Sequence, residues 1–314
     1  MVLIFSESSD NSTSSVIEWL KNYNSNYIRF NRGDENVQLT VNEHNELAVK
    51  FNSQIFTLDD VKSSWFRRSF LKFFRVSSSE YKSGLNVFNE EELHWFTDYF
   101  LNKLSDKKSI NTAKTLIINK LLVLEKAIEI GFNVPEYFFA NNLKKLKRSK
   151  STEYITKGIN GNPFINISEL ETSMRTEILN KKSCPEKFYP TFIQEYIKKK
   201  YELRIFYLHE KIWSMAIFSQ NDEKTKYDFR NYNKKNPNRF VPYNIPIKLK
   251  NKIILLMKAL NLNSGSIDII VTEELEYYFL EVNPVGQFGM VSIPCNYNIE
   301  KEIALFLIED EKKS

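Results

Sequence analysis

The chain has 314 residues, an apolar fraction of 42% and a modest net charge of +5, enough length for two or three small domains with cores of their own. Its 8 glycines include no GxxxxGK[ST] or GxGxxG loop, so a nucleotide would have to be held by charged side chains and strand backbones. Cys184 and Cys295 lack CxxC spacing, which argues against a zinc site or disulfide framework, and no run of about 20 apolar residues is present to span a bilayer.

Residues 2–5 read as a short buried strand. A Ser/Asp/Asn-rich loop follows, and Thr13 or Ser14 is placed to cap a helix carrying Val16, Ile17, Trp19 and Leu20. Residues 27–30 complete a β-α-β opening of the α/β kind. A hairpin over 37–41 and 47–51 turns around 42–46. A further strand covers 62–66 and a helix 90–103. The polar stretch 104–109 fits a domain boundary.

A second unit opens with a helix over 115–130, where Leu116, Ile117, Leu121, Leu124 and Ile128 recur at helical spacing and Gly131 ends it. Strands follow at 137–139, 154–157 and 192–197, with a helix near 167–179 between the last two. A third unit has strands at 202–208 and 212–218, a polar loop over 220–239 and a helix over 247–260. A hairpin and a helix over 300–308 close the chain, and no internal repeat is evident. The lysine runs at 142–150 and 198–200 read as solvated faces or loops, or as attractors for an acidic partner. Without interleaved aromatics, nucleic acid is the weaker candidate. His44, His94 and His209 are isolated and read as surface or packed side chains. Residues 1–5 are too short for a signal peptide, so a cytoplasmic protein is expected.

The closing hairpin carries the most chemistry. Residues 265–271 and 277–284 flank the polar segment 272–276. A hairpin about that segment is read as setting Asp268 opposite Glu281, and Asn283, two residues further, shares their face. Two carboxylates and an amide suit Mg²⁺, which keeps waters and completes its shell with substrate phosphates. This fits the metal end of a nucleotide site; the alternative is an edge hairpin whose acids face water.

Seven short motifs stand in order: Asn119-Lys120-Leu121, Lys157, Gln194-Glu195-Tyr196-Ile197, Glu202-Leu203-Arg204, Asp228-Phe229-Arg230, Asp268 and Glu281-Val282-Asn283. In that order they resemble the ATP-grasp ligases, most clearly the branch that adds amino acids to a ribosomal protein. Within the family the chain looks most like a graspetide synthetase of the grasp-with-spasm kind. The segments carrying this are Phe5-Ser6-Glu7-Ser8-Ser9-Asp10, Phe30-Asn31-Arg32, Ser64-Trp65-Phe66-Arg67-Arg68 and Asn283-Pro284-Val285-Gly286-Gln287-Phe288-Gly289-Met290.

The resemblance implies a mixed α/β and α+β chain: an ATP-grasp fold with an N-terminal pre-ATP-grasp α/β domain. That domain would be residues 1–104, the small lobe with the ATP-binding lysines 105–198, and the large lobe with the metal site 199–314. It also implies roles. Asp268, Glu281 and Asn283 would hold two Mg²⁺ ions, Glu281 bridging them, while Lys120 and Lys157 meet the ATP phosphates. Gln194, Glu195, Tyr196 and Ile197 would form the hinge beside adenine, and Glu202 would accept the ribose hydroxyls. Arg230, with Asn231 beside it, would approach the γ-phosphate as a two-toothed fork. Lys157, Arg230 and Glu281 are the catalytic set so implied. Arg67, Arg68 and Arg204 are offered as contacts for an acidic peptide, against the plainer readings of a strand end (Arg67, Arg68) and an ion-pair partner (Arg204).

Taken without the family, Lys120 and Lys157 are solvated lysines and Glu195 and Glu202 surface acids. The loop 158–162 is either a cover over the phosphates or an ordinary turn. The implied activity is ATP-dependent macrocyclisation of a ribosomally made precursor peptide. Its Asp/Glu carboxylates would become acyl phosphates and then join Thr/Ser hydroxyls or Lys amines. The competing readings are an intermolecular carboxylate-amine ligase, a nucleotide-dependent peptide-binding protein without chemistry, and a basic nucleic-acid binder. Relatives in the family suggest a homodimer.

Overall fold

A computed structural model describes residues 1–70, 72–73, 83–147, 153–159, 164–167, 170–173, 176–180, 184–220 and 237–309. The chain begins with β1 (Val2–Ser6), α1 (Asn11–Asn22) and β2 (Tyr27–Asn31), the expected β-α-β unit. The helix starts earlier than read: its N-cap is Asp10, with no side-chain capping bond, and Thr13 lies inside the helix with its hydroxyl on the Asp10 carboxylate. Asp10 is drawn instead to Arg67, as described below. The hairpin of β3 (Val37–Val41) and β4 (Leu47–Phe51) gains a third strand, β5 (Gln54–Thr57). After β6 (Ser63–Phe66) come α2 (Ser83–Ser105) and β7 (Lys108–Ile110). The four strands β2-β1-β6-β7 form one parallel sheet. The stretch 104–109 is therefore not wholly a linker; Ile110 is buried, and its strand closes the sheet edge.

The predicted helix over 115–130 splits. Residues 113–115 make a single 3₁₀ turn, and α3 (Lys120–Ile130) starts at Asn119, whose side chain accepts from the amides of Leu121 and Leu122. Such a cap outweighs the apolar spacing that ran back to Leu116. Gly131 ends α3 at φ +90°, a conformation that favours glycine. Then come β8 (Tyr137–Asn142), α4 (Leu143–Lys147), β9 (Tyr154–Thr156), β10 (Phe164–Ile167), β11 (Leu170–Ser173), β12 (Glu177–Ile178) and β13 (Lys187–Glu195). The strands β12-β9-β13-β8 form a sheet, and β10-β11 a separate hairpin. The helix expected near 167–179 is thus replaced by strands. Ile167, Leu170, Met174 and Ile178 mimic helical spacing in the sequence, but the described residues 167, 170–173 and 177–178 pair as strands instead.

The last unit comprises β14 (Tyr201–Leu208), β15 (Lys211–Phe218), β16 (Arg239–Pro242), α5 (Ile247–Ala259), β17 (Ser264–Val271), β18 (Tyr277–Asn283), α6 (Gly289–Cys295) and α7 (Ile299–Ile308). Its antiparallel sheet has the order β16-β15-β14-β17-β18. The loop over 220–239 lies almost wholly outside the described residues.

Period-2 alternation gives the central strand β14 two apolar faces. Leu203, Ile205 and Tyr207 pack with Val123, Leu124 and Ala127 of α3 and with Leu249, Ile253 and Leu256 of α5. Phe206 and Leu208 face the opposite way, into a core shared by α6, α7, α1 and the strand residues Val2, Ile4 and Trp65. The other face of the N-terminal sheet, with Leu3, Phe5 and Phe66, is covered by Phe100 and Leu104 of α2 and by β3–β5. Two consequences bear on the site. Although α3 falls within 105–198, it packs on the C-terminal sheet. The N-terminal sheet and the C-terminal helices share one core. Among the described residues no helix is long and apolar enough to cross a membrane, and Cys184 and Cys295 are both free thiols.

Candidate active site

A cleft of about 290 Å³ opens between the sheet carrying β9 and β13 and the sheet carrying β17 and β18. Cross-strand register builds its floor. Arg204 on β14 lies opposite Asp268 on β17, and Asp268 opposite Glu281 on β18, so the three side chains form a row across adjacent strands. A register shift follows Asp268; such a bulge re-aims side chains at a strand end. Asn283, two residues beyond Glu281, lines the same cleft, and its Oδ1 accepts from the Val285 amide at 3.0 Å.

Two carboxylates side by side would repel, and cations bracket them. Arg204 donates to both oxygens of Asp268. Lys120, the first residue of α3, donates to Glu281 Oε2 at 2.9 Å. Burial works against ionisation of Glu281, but Lys157, Lys120 and Arg204 outweigh it and hold its carboxyl below the usual range. Glu281 is therefore a charged carboxylate. Lys120 bonds it directly, and Lys157 lines the same cleft.

The donor set fits Mg²⁺. Among the described residues no three His, Cys, Asp or Glu side chains form a closed metal cage. Two carboxylates with an amide oxygen are the partial, all-oxygen set that leaves room for waters and phosphates.

At the other end of the cleft lie Gln194, Glu195, Tyr196 and Ile197, at and just beyond the end of β13. Gln194 is fully buried, and neither its Oε1 nor its Nε2 has a hydrogen-bond partner among the described residues. A buried amide left so is costly, unless a ligand edge completes it. Glu202 lines the cleft and pairs with Lys199, itself 3% exposed. A carboxylate has capacity for further donors beyond that one.

Lys199 corrects the reading of 198–200 as a solvated run: it is buried, while Lys200 meets Glu273 at 3.5 Å nearer the surface. Arg204 is an ion-pair partner that also lines the cleft. Arg67 and Arg68 do not line it. Arg67 is 3% exposed, ion-paired with Asp10 at 3.0 Å and bonded to the carbonyls of Val285 and Gly286. Such a side chain is spent inside the protein and is not a peptide contact. Arg68 pairs with Glu7 at 3.0 Å and lies 3.5 Å from Asp10. Arg230, Asn231 and most of the loop 158–162 lie outside the described residues, although Gly158 lines the cleft.

Thr176, Gln287 and Met290 also line the cleft without having been singled out for it. Gln287 and Met290 belong to the segment after Asn283, where the Asx-type bond of Asn283 was the local signal that the chain folds back on the site.

No family model and no curated protein matches the chain. Solved structures do. A RiPP-associated ATP-grasp ligase of Chryseobacterium gregarium, in complex with ADP and a leader and core peptide, is 24% identical with a TM-score of 0.78, over 98% of this chain and 96% of that one. The macrocyclase MdnC of Microcystis aeruginosa, bound with precursor peptide MdnA, is 25% identical with a TM-score of 0.75, over 98% and 99%. The ATP-grasp ligase PsnB, complexed with a precursor variant, Mg and ADP, is 16% identical with a TM-score of 0.70, over 98% and 97%. The chain thus has the ATP-grasp fold along nearly its whole length.

Proposed function

We propose that this ATP-grasp chain is a graspetide synthetase, an ADP-forming macrocyclase acting on a ribosomally made precursor peptide. The observation that carries the reading is the convergence of Lys120 and Lys157 on Glu281, in one cleft with Asp268, Asn283 and the buried amide of Gln194. The matched solved neighbours bind ADP and precursor peptides, which supports the same substrate classes here.

The chemistry needs no nucleophilic side chain of the enzyme. A peptide Asp or Glu carboxylate takes the γ-phosphoryl group of ATP, releasing ADP and forming an acyl phosphate. A Thr/Ser hydroxyl or Lys amine of the same peptide then displaces phosphate and loses its proton, leaving an ω-ester or ω-amide. Lys120 and Lys157 neutralise the phosphoryl oxygens, and Gln194 with the 195–197 backbone seats the base. Glu202 accepts the ribose hydroxyls. Asp268, Glu281 and Asn283 would hold Mg²⁺, which when bound supplies charge neutralisation for the transferring phosphoryl group. Arg230, with Asn231, adds a fork to the same oxygens. Closure of the two lobes keeps water from the acyl phosphate. An ATP-consuming enzyme with two free thiols belongs in the cytoplasm.

Mass spectrometry of a candidate acidic, Thr-rich precursor peptide, incubated with enzyme, Mg²⁺ and ATP, tests the reading. Successive losses of one water mass, dependent on both ATP and Mg²⁺, are the expected result. Mass gains on adding free amino acids would replace it with the intermolecular ligase. An unchanged peptide with ATP bound and unconsumed would leave a binding protein.

A further inference from the structure

The segment after Asn283 is held from below by two side chains of the N-terminal domain. Asn111, just past β7, donates from Nδ2 to the carbonyl of Pro284 at 3.2 Å. Arg67, just past β6, donates from Nη1 to the next two carbonyls, Val285 and Gly286, at 2.8 Å each. Three successive carbonyls thus point at one sheet edge. Arg67 also lies against the rings of Phe288 and Trp65, 5.1 and 5.9 Å from their centroids.

The guanidinium is buried, and burial pulls its pKa down to about 10 while Asp10 holds it up, so it stays charged at neutral pH. A buried ion pair is a costly way to anchor a strand end. Its fork does what an apolar side chain or a lysine would not: it joins Asp10 to two carbonyls in a fixed plane. The same fork reaches a side chain that lines the cleft: Arg67 Nη2 faces Gln287 Oε1 at 3.5 Å, and Gln287 lines the cleft together with Glu281 and Asn283. With the carbonyl oxygen turned to the cation, the amide NH₂ is the opposite end of the group.

We propose that Gln287 is a binding residue for an oxygen of the γ-phosphoryl group in the cleft that holds Glu281 and Asn283, and that Arg67 is the positioning residue that orients it. The proposal rests on the cleft being the nucleotide site proposed above. Gly286 fits the same picture: a Cβ there would come within 2.0 Å of Ser266 Oγ, so the loop lies as close to β17 as a glycine allows. Arg67 touches no substrate; Gln287 does.

The test uses the full chain with AMPPNP and ADP as probes, each with Mg²⁺, measured by calorimetry. Gln287→Leu is expected to lose about tenfold in AMPPNP affinity, the scale of a hydrogen bond to a charged group, with ADP affinity and melting temperature unchanged. Arg67→Lys keeps the cation beside Asp10 but loses the fork. It is expected to show the same selective loss, together with faster hydrogen exchange across 284–288. Gly286→Ala, which forces the loop and the carbonyl that Arg67 holds away from Ser266 while keeping both side chains of the pair, should reproduce it and stands in if Arg67→Lys does not fold. Equal losses for both nucleotides, or none, overturn the role of Gln287. Unchanged exchange at 284–288 in a folded Arg67→Lys overturns the positioning role. If the unaltered protein binds neither nucleotide, the reading of the cleft falls and takes the role of Gln287 with it, while exchange still decides the role of Arg67.

Discussion

Lys120 Nζ and Glu281 Oε2 meet at 2.9 Å although 161 positions separate them in the chain. The lysine opens α3 and the glutamate lies on β18, so their contact fixes the helix start against the floor of the cleft. On the proposed reading Glu281 would hold Mg²⁺ and Lys120 would neutralise a phosphoryl oxygen. Glu281→Gln keeps the size and a hydrogen bond but removes the charge. Turnover should vanish while the thermal unfolding midpoint stays near that of the parent. ATP consumption with an unaltered Mg²⁺ dependence would sink the metal assignment.

The two lysines should contribute to nucleotide affinity. Lys120→Ala and Lys157→Ala each remove one charge-assisted contact, of the order of 1.5–3 kcal/mol, or roughly 10–100-fold in affinity. Titration with AMPPNP measures this. Because both lysines face Glu281, the double variant should lose less than the sum; strict additivity would mean that they act at separate places.

The site residues of the hairpin were legible because strand periodicity is simple. A polar turn between two apolar runs marks the hairpin, but strict symmetry about it would pair Asp268 with Leu280; the register shift after Asp268 is what sets that residue opposite Glu281. The cleft also gathers Lys120, Lys157, the segment 194–197 and Glu202, which single motifs alone would not have placed together. Arg67 was misread for a physical reason. Arginine is usually exposed, and this one owes its interior partner set to distant residues, Asp10 and the carbonyls of residues 285 and 286, the latter more than 200 positions away. Lys199 was hidden in the same way, inside a run whose neighbours are solvated. The helix expected near 167–179 failed because a short apolar period fits either element until strand pairing decides.

Asp10 should make the fold acid-sensitive. Burial alone would raise its pKa, but Arg67, the Thr13 hydroxyl and Arg68 outweigh it, so the folded value lies below the ordinary 3.8. Ser6 and Glu7 complete its surroundings, through a 3.4 Å hydroxyl bond and the Arg68 pair. A carboxyl depressed in the folded state stabilises the protein above its unfolded pKa, and that contribution is lost as pH falls through the folded value. Asp10→Asn should therefore lower stability at neutral pH and flatten its decline below pH about 4. Denaturant titrations across pH check this, and parallel curves for the two proteins would refute it.

Removing the charge from the other partner should cost more. Arg67→Met leaves Asp10 buried without its main cation and frees two carbonyls, and breaking such a pair typically costs about 3–5 kcal/mol. Adding Asp10→Leu should recover part of that loss, since the stranded carboxylate disappears. A double variant no more stable than Arg67→Met would place the cost in the 285–286 carbonyls instead.

Gln194 offers a case in which stability and binding should move in opposite directions. Its amide is fully buried, and neither polar atom is bonded among the described residues. Replacing it with methionine, of similar length and no amide, removes a donor and an acceptor that are unpaired in the protein. The nucleotide-free protein should gain about 1–3 kcal/mol, the usual cost of one such group. If that amide meets the base edge in the complex, the same variant should lose affinity for ATP by about tenfold. ATP, whose edge offers a donor beside an acceptor, should lose more than an analogue without the exocyclic amine. Thermal unfolding without nucleotide and calorimetry with each nucleotide separate the two effects. A variant that is stabilised yet binds both nucleotides as before would show that the buried amide is a packing residue, and the base would then be held by the 195–197 backbone alone.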